Sequence, residues 1–212
     1  MAMSSMMLAL VLAVSSCVLS ALPAAADDAR GRTLFNFCAQ CHGSEGAGNP
    51  AIEAPSIAGL PAWYVDAQLK KFKSGGRGYH ADDAGGLRMR PMATWLKTDA
   101  DIAAVAAYVA ALPASRPEPT LAGGDAARGE ALYATCTACH GADAAGNEQL
   151  FSPPLRHASD WYLLAQLRKF QSGIRGANPA DTTGALMRPF SLTLADEQAM
   201  RDVVAYILSR PQ

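Results

Sequence analysis

The 212-residue sequence predicts an all-α protein made of two tandem copies of one small helical domain. Three observations predict it. Many residues recur at a single fixed offset, apolar residues fall at helical spacing in each copy, and each copy carries one C-x-x-C-H pentapeptide.

The offset is 98 positions, the distance from Cys38 to Cys136. It pairs Gly31 with Gly129, Pro55 with Pro153, Trp63-Tyr64 with Trp161-Tyr162 and Gln68-Leu69 with Gln166-Leu167. It also pairs Lys71-Phe72 with Lys169-Phe170, Arg77-Gly78 with Arg175-Gly176, Met89-Arg90-Pro91 with Met187-Arg188-Pro189 and Tyr108 with Tyr206. No insertion interrupts the match between Gly31 and Pro211. A unit of about a hundred residues is the size of a small domain. Two copies at so long a period are a duplication, not a solenoid.

Each unit reads as three helices. The first covers residues 27–40, holds Leu34 and Phe37 at helical spacing, and runs into the pentapeptide. The second, 62–74, follows Pro61 and places Val65, Leu69 and Phe72 at i, i+4 and i+7 on one face. The third, 99–112, buries Ile102, Val105, Ala106 and Val109, and Thr98 with Asp101 three residues on forms a capping box. The second unit repeats these helices at 125–138, 160–172 and 196–209. The Gly- and Pro-containing segments between them read as loops. Residues 113–124, with three prolines and two glycines, read as the linker between domains 27–112 and 125–212.

Residues 1–26 read as an export signal. Leu8 to Val14 is a short apolar run, too short to span a membrane, and Ala24-Ala25-Ala26 is a small-residue cleavage site before Asp27. The apolar run lacks a preceding Lys or Arg, and Val14-Ser15-Ser16-Cys17 loosely resembles a lipoprotein box. Soluble export is the expectation. A lipid anchor on Cys17 is the alternative.

The chemistry lies in Cys38-Ala39-Gln40-Cys41-His42 and Cys136-Thr137-Ala138-Cys139-His140. C-x-x-C-H is the c-type haem attachment motif: the two thiols add across the haem vinyl groups and the adjacent His becomes the proximal iron ligand. A zinc ribbon also uses two C-x-x-C pairs, but much closer together. Neither zinc nor a pair of disulfides requires a His after each second cysteine, or a Met at a fixed distance downstream. Two covalently bound haem c groups are therefore expected, on Cys38 with Cys41 and on Cys136 with Cys139.

A sixth iron ligand suits a carrier of electrons. Met89 and Met92 compete for it in the first unit, and the repeat decides between them. Met92 matches Phe190, which cannot ligate, whereas Met89 matches Met187, and both are followed by Arg-Pro. His42, Met89, His140 and Met187 are the expected axial ligands, with Met92 a packing residue. Saturated His/Met ligation argues for a carrier and against an enzyme. Pro55 and Pro153 are placed to offer carbonyls to the free ring nitrogens of His42 and His140. Arg77 and Arg175 are either propionate partners or solvated. His80 and His157 do not match each other and read as surface or packing residues.

Charge is balanced, with 19 acidic and 18 basic residues. A nucleic-acid surface would be basic.

The doubled C-x-x-C-H-G, the Gln-Leu-x-x-Phe-x-x-Gly-x-Arg runs from Gln68 to Arg77 and Gln166 to Arg175, and Met-x-Pro before the last helix resemble the dihaem cytochrome c4 family across nearly the whole mature chain. The resemblance implies two class I cytochrome c domains related by a pseudo-twofold, with propionate edges facing across the interface. It implies Gly31 packed on Tyr108 and Gly129 on Tyr206. It also implies a periplasmic electron carrier, with membrane association in some members. Expected partners are a terminal oxidase, a quinol-cytochrome c reductase or a dehydrogenase. The alternative is an electron-transfer subunit of a periplasmic dehydrogenase complex. The family's Gly-Gln after the loop proline is absent here: Gly59-Leu60 and His157-Ala158 stand in its place.

Overall fold

The structure is a computed structural model that describes residues 22–114 and 116–211, with side chains from residue 28 onward. The apolar run at Leu8–Val14 and Cys17 lie outside the described residues, whereas Ala24–Ala26 lie in the first turns of the first helix, which starts at Leu22 rather than at Asp27. Among the described residues the protein is helical, without a named strand.

The first domain holds α1 (Leu22–His42), α2 (Ala62–Ser74), α3 (Ala84–Trp95) and α4 (Asp99–Ala111). The second holds α5 (Ala126–Tyr133), α6 (Thr137–His140), α7 (Asp160–Ser172), α8 (Thr182–Ser191) and α9 (Glu197–Leu208). First and last helices cross in each domain, α1 on α4 and α5 on α9. A glycine makes each crossing. A Cβ on Gly31 would sit 2.4 Å from the Ala104 carbonyl oxygen and 2.9 Å from Tyr108 Cβ. On Gly129 it would sit 1.9 Å from the Asp202 carbonyl oxygen and 2.9 Å from Tyr206 Cβ. Only a residue without Cβ lets the backbones approach this closely.

The same positions build both cores. Phe35, Phe72, Leu96, Ile102, Val105 and Val109 are buried in the first domain; Tyr133, Phe170, Leu194, Met200, Val203 and Ile207 are buried in the second. The first-helix core residue is Phe35, not Phe37. Phe37 is 39% exposed and lies against Trp95 with ring centroids 4.8 Å apart. Thr98 caps α4 as expected: its Oγ1 accepts from Asp101 N–H at 3.1 Å while Asp101 Oδ2 accepts from Thr98 N–H at 3.0 Å.

Two expected loops are helical. The segments that carry Met89 and Met187 form α3 and α8, despite Pro91 and Pro189 in their interiors. Asp83 and Asp181 nucleate them as N-caps, accepting from Gly86 and Gly184 N–H at 3.0 and 3.2 Å. Each proline removes one helical donor. Leu87 and Ala185, four residues back, are exposed, so water can satisfy the carbonyls left free.

The first helix also differs between copies. It runs unbroken through Cys38–His42, but its counterpart divides into α5 and α6. Thr135 and Thr137 replace Phe37 and Ala39 there. Their hydroxyls donate back to the carbonyls of Leu132 and Tyr133, each at 3.3 Å. Such bonds compete with the helical ladder.

The linker is fastened to the second domain. Arg116 donates to the carbonyls of Arg156, Leu208 and Arg210 at 2.5–3.0 Å. Thr120 and Leu121 N–H groups both donate to Asp160 at 2.6 Å. The domains also exchange a lysine–aspartate contact reciprocally. Lys71 Nζ donates to Asp181 Oδ1 at 2.5 Å and Lys169 Nζ to Asp83 Oδ1 at 2.6 Å. Residues 71 and 169, and 83 and 181, are equivalent in the repeat. Reciprocal pairing of equivalent residues is what twofold symmetry produces.

Candidate haem-binding sites

Helix α1 ends on His42 and α6 on His140, so the last turn of each helix delivers the two thiols and the imidazole together. Both rings are buried, at 7% and 3% exposure. Each is oriented by its Nδ1, 2.8 Å from the Pro55 carbonyl for His42 and 2.9 Å from the Pro153 carbonyl for His140. The glycines at Gly43 and Gly141, at φ +80 and +79, turn the chain immediately after each His. Burial lowers the pKa of both imidazoles, against the opposing pull of those carbonyl bonds. The rings are therefore neutral with Nδ1 as donor, which leaves the Nε2 lone pair free to ligate.

In the second domain that lone pair has no protein partner: His140 Nε2 is buried and unbonded. A buried polar atom is rarely left so. It opens onto an apolar cleft lined by Cys136, Cys139, Pro153, Leu186, Met187 and Phe190. Two thiols, a free imidazole nitrogen and a thioether in an apolar cleft fit haem c. In the first domain Cys38 and Met89 each pack against the Phe35–Leu96 core. Met92 is half-buried at the edge of α3. Cys38, Cys41, Cys136 and Cys139 form no disulfide, and burial pushes the Cys38 thiol up to about 11.

The cleft continues to the domain interface, where Pro55, Tyr64 and Gln68 of the first domain meet Tyr162, Gln166 and Arg175 of the second. Arg77 and Arg175 are not solvated; they are 6% and 8% exposed. Arg77 Nη1 donates to Gln68 Oε1 at 2.7 Å, and Arg175 Nη2 reaches the same oxygen at 3.3 Å across the interface. Gln166 repeats this, accepting from Arg175 at 2.8 Å and from Arg77 at 3.4 Å. The guanidiniums lie 4.3 and 4.5 Å from the Phe72 and Phe170 ring centroids. Burial raises the Tyr162 pKa, but the charges of Arg77 and Arg175 outweigh it and hold the phenol below its ordinary value. Each Arg keeps a buried Nε–H without a partner. The residues that stand in for the family's Gly-Gln take no part in this cluster. Ser159 does contribute to the interface, its hydroxyl accepting from Ser56 N–H at 3.2 Å.

The interface side chains were present in the sequence as repeats. Gln68, Lys71 and their counterparts matched at the offset without a role, and Asp83 and Asp181 match at it too. His80 is partly exposed, beside Asp82, and His157 is half-buried beside Arg156.

Two helical domains, each presenting a C-x-x-C-H turn with a buried, carbonyl-oriented His, define a tandem c-type haem protein. The chain belongs to the cytochrome c family, whose profile matches residues 29–113 and again 126–211. It is 33% identical over 184 residues to a thiosulfate dehydrogenase electron acceptor of Thiomonas intermedia, covering 82% of this chain and 78% of that one. Among solved structures it is similar to the thiosulfate dehydrogenase TsdBA of Marichromatium purpuratum, with TM-score 0.69 and 35% identity over 87% of this chain and 40% of that one. It is also similar to reduced cytochrome c4 of Pseudomonas stutzeri, with TM-score 0.69 and 26% identity over 87% of this chain and 98% of that one. The protein is an electron-transfer cytochrome with two covalently bound haem c groups. Among the described residues no helix is long and apolar enough to cross a membrane.

Proposed function

We propose that the protein is a periplasmic carrier that accepts electrons from a dehydrogenase and delivers them onward, with a terminal oxidase as the acceptor. In this reading Cys38, Cys41, Cys136 and Cys139 form the thioethers, and His42, Met89, His140 and Met187 are the axial ligands. Haem c supplies the one-electron couple, and a thioether sulfur favours its ferrous form. Residues 1–26 are removed on export. Arg77 and Arg175 direct their free Nε–H groups to propionates at the interface. His and Met would hold each iron with two protein ligands, and such a pair supplies a one-electron couple rather than a site for substrate, which supports a carrier over an enzyme.

The observation that carries the carrier reading is the duplicated donor set: one buried His held by a proline carbonyl, and one Met on a capped helix, in both domains. The dehydrogenase as donor rests on the relative named as the electron acceptor of thiosulfate dehydrogenase. Reduction of the oxidised holoprotein, followed optically, tests both. Thiosulfate with a thiosulfate dehydrogenase should reduce both haems, whereas thiosulfate alone should not. Failure with the dehydrogenase, but reduction by a quinol-cytochrome c reductase, would replace the donor. Rapid carbon monoxide binding by the reduced native protein, or peroxide turnover, would overturn the carrier reading.

A further inference from the structure

We infer that each domain holds the axial-methionine helix of the other: Lys71 positions Met187, and Lys169 positions Met89. The inference rests on the reading of those methionines as iron ligands. Asp181 is fully buried, and its Oδ1 accepts from Gly184 N–H at 3.2 Å, capping α8. Met187 lies six residues beyond that cap, less than two turns along the same helix and about 9 Å along its axis. The cation opposite Asp181 comes from the first domain. Lys71 Nζ is 2.5 Å from Asp181 Oδ1 and 2.5 Å from Thr183 Oγ1, the second residue of α8. In the other direction Lys169 Nζ lies 2.6 Å from Asp83 Oδ1, the cap of α3, six residues before Met89.

The caps have no slack. A Cβ on Gly184 would meet Asp181 Oδ2 at 1.9 Å, and one on Gly86 would meet Asp83 Oδ2 at 2.1 Å. Behind each cap stands the glycine after the interface arginine. A Cβ on Gly176 would be 2.4 Å from the Gly184 carbonyl oxygen, and one on Gly78 would be 2.2 Å from that of Gly86. A carboxylate so wedged cannot move without moving the first turn of its helix. A helix transmits that movement along its axis to the methionine, because its turns are rigidly hydrogen-bonded. An unpaired buried carboxylate would also draw water or shift to regain solvation.

The two clamps are unequal. Thr183 corresponds to Gly85 in the first domain, so Lys169 has no hydroxyl to bond beside Asp83. The second domain adds a further one-sided contact, Asn178 Nδ2 donating to the Gly75 carbonyl at 3.0 Å. Met187 is therefore held more tightly across the interface than Met89. The domain interface sets the axial geometry of both sites, and each lysine acts on the haem that is not its own. Both lysines are positioning residues.

The test compares Lys71→Gln and Lys169→Gln in the holoprotein, by a two-haem redox titration and by proton NMR of the ligated methionine methyls. The wild-type spectrum is read first. Two ligated methyls, assigned by loss of one each in Met89→Ala and Met187→Ala, are the condition for the experiment; their absence would refute the ligand reading, not the clamp. Lys71→Gln should shift the Met187 methyl and the potential of the second haem and leave the first haem in place. Lys169→Gln should do the reverse, with a smaller shift. Thr183→Val, a milder change for use if the lysine variants do not fold, should move the second haem in the same direction as Lys71→Gln. Equal shifts at both haems, a shift confined to the lysine's own domain, or no shift at either would overturn the inference.

Discussion

Arg88 Nη2 lies 3.2 Å from Glu53 Oε2 on the rim of the first domain's site, and the residues equivalent to this ion pair in the second domain are Leu186 and Phe151. The substitution turns a charged rim into an apolar one. Phe151 is 60% exposed and Leu186 61%, with exposed Leu150 in the same cleft lining. Phe151 also keeps the left-handed backbone, φ 52, that Glu53 adopts at φ 54. A bulky residue rarely holds that conformation without reason.

Docking of the redox partner is accordingly expected on the second domain. Transplanting the pair, Phe151→Glu with Leu186→Arg, should weaken partner binding about tenfold, or ~1.4 kcal/mol. Electron transfer by the wild type should depend weakly on ionic strength, because an apolar contact is little screened. Stopped-flow rates against salt check both. A steep fall for the wild type, or an unaffected double variant, would place docking elsewhere.

Ligand assignment has an optical readout. Met89→Ala and Met187→Ala should each remove one of two methionine–iron charge-transfer bands and open one iron to carbon monoxide. Met92→Ala should retain both bands. Loss of a band in the Met92 variant, with both kept in the Met89 variant, would reverse the assignment.

Acid should loosen the crossing of first and last helices. Asp101 is held at about 2 by Thr98 N–H and then Arg30, and Asp202 at about 2 by Arg128 first. Their ordinary value is 3.8. A carboxylate with a depressed folded pKa stabilises fully above its unfolded pKa and loses that contribution as pH falls through the folded one. Urea unfolding should show wild type more stable than Asp101→Asn or Asp202→Asn by a constant margin above about pH 5. That margin should shrink from about pH 5 down through pH 2. A margin that grows on acidification would contradict the ion pairs.

The glycine crossings predict a graded cost. Gly31→Ala and Gly129→Ala should each destabilise by roughly 1–3 kcal/mol, the usual range for overpacking. Gly129 should be the worse, since its Cβ would approach a carbonyl oxygen to 1.9 Å rather than 2.4 Å. Denaturant midpoints of the two variants decide it.

Export has a mass readout. The secreted protein should weigh residues 27–212 plus two haems. A diacylglyceryl mass on Cys17 would make it a lipoprotein.

Much of the proposed site is written along the chain. Haem number and covalent attachment follow from five contiguous residues given twice. The His orientation by Pro55 and Pro153 follows from a fixed distance of 13 residues between partners. The expectation of Met89 over Met92 rests on the 98-residue offset, which matches Met89 with Met187 and Met92 with Phe190. Local spacing carried these because each involves one element or one short loop. The helices around Met89 and Met187 were not readable, because Pro91 and Pro189 argue against a helix that only buried capping aspartates and exposed carbonyls make tolerable.

The interface was decided by tertiary structure. Lys71 and Asp181 are separated by 110 residues and Lys169 and Asp83 by 86, and no periodicity links a lysine on one helix to a cap in the other domain. The repeat shows that Lys71 equals Lys169 and Asp83 equals Asp181. It cannot show that each pairs across the boundary rather than within its own domain. The same holds for Arg77 and Arg175, whose sequence allowed either a propionate partner or solvation, and which are buried. Burial is a property of the packed pair of domains, because the desolvation that makes an arginine select its partners exists only once the second domain covers it.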